Sequence, residues 1–174
     1  MKKKTSAFLA GLFVLAGTTA YAQSGAPNDA QIAGIVVSAN SVDINAGKLA
    51  EKKSHNKQVK AFAKEMVTDH TGVNKQATAL VKKLKVTPED SDTSKSLKEG
   101  GDANITKLKS LKGKDFDKAY VDNEVTYHQA VIDALDNTLI PNAKNSELKD
   151  MLVKVRPAFV AHLEHAKRIQ AAMQ

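Results

Sequence analysis

The 174-residue chain carries 26 Lys and Arg against 19 Asp and Glu, a formal net charge of +7, and no Cys. Covalent haem attachment, a disulfide framework and thiol catalysis all require Cys and are excluded. Lys2, Lys3 and Lys4 account for part of the charge, and without them 23 basic residues face 19 acidic ones. The other Lys residues spread along polar helix faces rather than clustering with aromatics, so no nucleic-acid partner is expected.

The basic start Met1-Lys2-Lys3-Lys4, the apolar run Ala7 to Ala16 and the small-x-small end Ala20-Tyr21-Ala22 form a secretory signal over residues 1–22. Cleavage after Ala22 leaves residues 23–174 as one domain, in the periplasm or secreted, with no transmembrane segment long enough to cross a bilayer. A lipid anchor would need a Cys at the cleavage point, so none is expected.

The rest of the chain repeats apolar residues at steps of three and four, the period of helices that bury one stripe each, and shows no strand alternation. A first helix is expected from an Asn28 or Asp29 cap to Lys53, with the stripe Ile32, Val36, Ala39, Asp43, Ala46, Ala50. After a break at Ser54 to Asn56, a second runs to Leu84 with Val59, Phe62, Met66, His70, Val73, Ala77 and Leu80 on its stripe. The segment Lys85 to Lys112, with Pro88, Gly100 and Gly101, reads as a long connection that is weakly helical only near Ile105 to Leu111.

A third helix follows Gly113, with Asp115 as its expected cap. It carries Phe116, Tyr120, Glu124, Tyr127/His128, Val131, Leu135 and Leu139 until Pro141 stops it. The fourth, capped near Asn145 or Ser146, carries Leu148, Leu152, Val155, Phe159, His162, Ala166 and Ile169, with a kink expected at Pro157. Two short hairpins joined by one long connection predict an all-α, antiparallel four-helix bundle of the ferritin-like type.

Three stripes are interrupted by His70, His128 and His162, and the remaining one by Asp43, while Glu124 lies one turn before His128. All lie near the middles of their helices, so antiparallel packing should bring them to one level of the core. A single core His is usually a satisfied structural residue. Three at one level, with one or two carboxylates, form a ligand set for Zn, Fe or Mn. Ferritin-type dinuclear centres use Glu-x-x-His, which is absent, so a mononuclear site of His70, His128 and His162 with Glu124 and Asp43 is expected. Asp69 points about 100° away from His70 round its helix, toward a neighbouring helix or solvent. His165 reads as a solvated flank residue, His55 as surface and Met66 as core.

With these residues in view, the chain resembles a widespread bacterial family of unknown function, the domain of unknown function 4142 family. The carriers are Gly47-Lys48-Leu49-Ala50, Val59-Lys60-Ala61-Phe62-Ala63, Met66-Val67-Thr68-Asp69-His70, Phe116-Asp117-Lys118-Ala119-Tyr120-Val121, Tyr127-His128 and His162-Leu163-Glu164-His165-Ala166. The resemblance implies a ferritin-like fold, an envelope location and recurrent His at the positions of His70, His128 and His162, without an established activity. Family members are often labelled predicted outer membrane protein, although these residues show neither barrel strands nor a lipid anchor. The family commonly has Glu at the position of Asp43, whose shorter side chain reaches less far into a core.

The leading expectation is an exported bundle that binds a divalent metal through its core histidines, in an accessory or stress-related role of the cell envelope. Its rival is a metal-free structural bundle that engages an envelope protein as partner. An enzyme is not indicated, because no Ser/His/Asp order, phosphate loop or reactive thiol is present.

Overall fold

The computed structural model describes residues 25–173; the expected signal Met1–Ala22 lies outside the described residues. Helix α1 spans Asp29–Lys53, and its start is fixed by a reciprocal cap: the Asn28 side chain accepts from the Gln31 N–H, and the Gln31 side chain accepts from the Asn28 N–H. Helix α2 spans Lys57–Leu84 behind an Asn56 cap and ends at Lys85, whose φ of 54° turns the chain out of the helix.

The segment expected as a long connection is instead largely helix, α3, over Asp92–Ser110. Three physical reasons outweigh its polar, glycine-containing sequence. Ser91 and Ser94 cap its start reciprocally, and Leu97, Ile105 and Leu108 give it a short apolar face against the core. Gly101 meets Val42 of α1 so closely that a Cβ there would lie 2.7 Å from a Val42 methyl. The residue that reads as a helix breaker is what allows close packing. At the far end, the Lys53 ammonium donates to the carbonyls of Leu108 and Lys109, supplying a cation at the negative end of the α3 dipole.

Helix α4 spans Gly113–Ala134 and runs on through a π-helical turn, Leu135–Leu139, into the short α5, Ile140–Asn142. One expectation is corrected here. Asp115 does not cap α4; it lies in the first turn, where its charge suits the helix dipole. The helical run ends at Asn142, one residue past Pro141, where the chain turns extended at Ala143. Helix α6 spans Ser146–Ala172 behind an Asn145 cap and continues unbroken through Pro157.

Named contacts fix the directions. Asp43 meets His70, Tyr127 reaches the Ala39 carbonyl, and Asp122, Asp136 and Glu65 pair with Gln170, Arg156 and His165. Thus α1 runs antiparallel to α2 and α4, and α6 antiparallel to both as well. Helix α3 returns along the outside of α1 in the same direction, from the Glu89–Ala30 hydrogen bond to the Lys53–Leu108 contact.

The core divides into two apolar clusters. One is built on Ile32, Val36, Val73, Ile132, Leu152 and Phe159, the other on Ala46, Phe62, Met66, Phe116, Tyr120 and Ala166. Between them, on every one of α1, α2, α4 and α6, the stripe turns polar.

Candidate metal centre

Helix α1 places Asn40 and Asp43 on its inner face, since steps of four and three from Val36 keep both on the apolar stripe. The Asn40 amide nitrogen donates to the Val36 carbonyl at 2.8 Å, which leaves its Oδ1 facing His70 Nδ1 at 2.7 Å. An amide oxygen only accepts, so Nδ1 of His70 carries the proton. The opposite nitrogen, Nε2, lies 2.8 Å from Asp43 Oδ2 without the alignment of a hydrogen bond. A nitrogen lone pair and a carboxylate oxygen repel at that distance, so a positive charge, proton or metal, has to lie between them.

The other two imidazoles obey the same logic. His128 Nδ1 donates to the Glu124 carbonyl one turn back at 3.0 Å, leaving Nε2 bare, 3.5 Å from Asp43 Oδ2. His162 Nε2 donates to Asp69 Oδ2 at 3.0 Å, leaving Nδ1 bare. Neither inner nitrogen has a hydrogen-bond partner. The ring centroids of His70, His128 and His162 lie 5.3 to 5.6 Å apart, and Phe159 closes one side, 5.1 Å from His70. One ring nitrogen from each lies within 4.8 Å of the others, and Asp43, Glu124 and His128 form a second group of the same compactness. Five side chains from four helices thus share one level, each almost wholly buried.

Burial raises the Asp43 carboxyl, but the imidazoles of His70, His128 and His162 outweigh burial and hold it below the ordinary carboxylate range. Glu124 goes the other way: burial first, then the negative charge of Asp43, push it well above that range. His128 is pushed down to about 4 by burial and by the other two imidazoles, against the pull of Asp43. Burial likewise lowers His162, opposed by its hydrogen bond to Asp69. The site therefore sets two carboxyl groups apart, Asp43 lowered and Glu124 raised, beside neutral imidazoles at His128 and His162.

These residues fit a divalent transition metal. Ligands around a tetrahedral ion stand about 2.1 Å from it and hence roughly 3.4 Å from one another, so a contraction of about 1 Å closes the three-His group. Each imidazole already has its far nitrogen spent on an acceptor: an amide oxygen, a carbonyl and a carboxylate. This is the outer support that metal-binding histidines require. Both oxygens of Asp43 and Oε2 of Glu124 lack partners.

His70, His128, His162, Glu124 and Asp43 come together at one level of the core, and the shorter Asp43 side chain reaches His70 at 2.8 Å and His128 at 3.5 Å. Met66 lies in the core cluster with Phe62, Phe116 and Tyr120, and His55 is exposed, both as expected. Asp69 holds His162 rather than standing free. His165 is a correction: it is only one-third exposed, takes Glu65 at 2.9 Å and sets its ring edge on Phe62, so it is a packed, paired residue rather than a solvated one. Asn40 was not singled out from sequence; the step of four from Val36 and three to Asp43 is the signal that would have found it.

Among the described residues no helix is long and apolar enough to cross a membrane. No curated protein and no solved structure matches the chain. Over residues 15–169 it matches the family described as Domain of unknown function (DUF4142), and the chain belongs to that family.

Proposed function

We propose that this protein binds one divalent metal ion, Zn, Fe or Mn, in the middle of a ferritin-like four-helix bundle formed by α1, α2, α4 and α6. The ligands are His70 Nε2, His128 Nε2, His162 Nδ1 and Asp43, with Glu124 as the second carboxylate. One observation carries the reading: three imidazoles that lie together have their outer nitrogens occupied by acceptors and their inner nitrogens buried without hydrogen-bond partners, those of His70 and His128 at 2.8 and 3.5 Å from Asp43. Bare buried nitrogens are costly unless something fills the space between them. The antiparallel directions of the four helices, with α3 carrying the chain back between the two pairs, support the ferritin-like description.

The protein acts in the cell envelope, exported by the signal Met1–Ala22, in an accessory or stress-related role. A metal-free bundle that engages an envelope partner is the second reading, and the 2.8 Å contact of His70 with Asp43 favours it, since a proton alone could occupy that space. Purification from the native envelope without added metal tests these readings on one sample. The expected results are a mass beginning at Gln23, about one equivalent of metal in wild type and in His55→Ala, and none in His128→Ala. An intact Met1 on envelope protein would refute export, and equal metal content in wild type and His128→Ala would refute the site.

A further inference from the structure

The inner ligands are almost wholly buried, so an ion must reach them through a defined route. We propose that Glu65 and Asp69, on the α2–α6 face just outside His162 and beside His165, form an outer cation station that loads the inner site, with His162 shared by both. The proposal rests on the metal-binding reading above and adds the path by which metal arrives.

The geometry is that of a ladder. Glu65 and Asp69 lie one turn apart on α2, and His165 and His162 one turn apart on α6, so antiparallel packing sets Glu65 against His165 at 2.9 Å and Asp69 against His162 at 3.0 Å. Glu65, Asp69 and His162 each bring a ligand atom within 4.8 Å of the others. Side-chain exposure falls from 46% at Asp69 and 37% at Glu65, through 33% at His165, to 4% at His162. The row therefore runs from solvent to core. His162 is its inner rung: Nε2 faces the outer carboxylate, while Nδ1 is bare on the side of His70 and His128. A cation held by Asp69 and Glu65 meets His162 as the next ligand inward.

The charge balance gives the station its purpose. Without the signal, 23 basic residues still outnumber 19 acidic ones and disfavour divalent cations at long range, so two adjacent part-exposed carboxylates mark where one can approach. If the two pairs were only ion pairs on the bundle rim, their charge would have no bearing on how fast the inner site fills.

The test is stopped-flow mixing of full-length, chelator-treated protein with Co(II), whose visible absorption reports the filling of the inner site. The variant is Glu65→Gln, in which the amide oxygen still accepts from His165 Nδ1–H, so packing and tautomer are kept while the charge is lost. The same final absorbance is expected, reached several-fold more slowly at low ionic strength and with a weaker salt dependence than wild type. Glu164→Gln, which removes a carboxylate paired with Lys167 on the same helix, should load like wild type. Equal rates and equal salt dependence in Glu65→Gln and wild type would overturn the proposal. So would a reduced final absorbance, because Glu65 would then support the structure of the inner site rather than delivery. Wild type that gains no Co(II) absorption at all would overturn the metal reading itself, and with it the outer station.

Discussion

His128 has no contact with solvent, and burial together with two neighbouring imidazoles lowers its pKa to about 4. The unfolded chain binds a proton on that ring below about 6.5, the folded chain only below about 4. Between those values the unfolded state holds more protons, so stability must fall as pH falls. The depression corresponds to about 3 kcal/mol for His128, and His162, lowered in the same direction, adds to it. Glu124 has the opposite sign, because a raised carboxyl costs stability as pH rises above its unfolded value. The experiment therefore belongs in a Glu124→Gln background. Urea unfolding of the chelator-treated variant should show stability falling steadily from pH 6.5 to pH 4, and adding His128→Asn should flatten most of that slope. A slope that survives the second substitution would show that His128 is not held neutral by its surroundings. None of this acid–base division was legible in the sequence, where Glu124 and Asp43 are two carboxylates on polar-interrupted stripes. It arises only when α1 and α4 set them beside each other and the imidazoles gather on Asp43.

At the scale of elements, the glycines of α3 give the sharpest contrast. Gly100 and Gly101 are adjacent in one helix, yet a Cβ at Gly100 would meet nothing within 4 Å, whereas one at Gly101 would strike three atoms of Val42 at 2.7 to 3.3 Å. Val42 is β-branched and its own Cβ is among those atoms, so a rotamer change gives no relief. Gly100→Ala should stabilise by about 0.5 to 1 kcal/mol through helix propensity and a less flexible unfolded chain. Gly101→Ala should destabilise by about 1 to 2 kcal/mol, as overpacking does. Urea midpoints at unchanged slope measure both, and equal effects would mean that α3 does not pack on α1 as described. The same pair explains why α3 was missed. Helices α1, α2 and α6 announce themselves by Asn caps and, with α4, by long stripes, and the three His positions read directly from spacing. Helix α3 has only Leu97, Ile105 and Leu108 to bury, and its glycines signal a break unless one knows that Val42 lies opposite.

At the scale of the whole molecule, Asp43, His70, Glu124 or His128, and His162 come from α1, α2, α4 and α6 in turn, and the polar level they form separates the two apolar clusters. A metal bound there ties four helices at their midpoints, which loop closure through the unfolded chain makes costly to undo. Helix α3 contributes no ligand, and of its residues only Ser94 and Leu108 are buried. It should therefore open locally, without waiting for the rest of the fold. Metal binding stabilises the folded state by mass action, about 2.7 kcal/mol when free metal exceeds the dissociation constant a hundredfold. Amides whose exchange requires global unfolding receive that full increment; amides that exchange by local detachment receive none. Native-state hydrogen exchange with and without Zn(II) at pH 7 should thus slow about a hundredfold for core amides near Val36, Met66, Ile132 and Leu163, while α3 amides around Leu97 and Asn104 keep their rates. Acidification below pH 4, where His128 is protonated, should abolish the difference, because protons then compete for the same nitrogens. Slowing of equal size in α3 would show that it unfolds together with the other helices, and no slowing anywhere would show that the four helices are held at that level without metal.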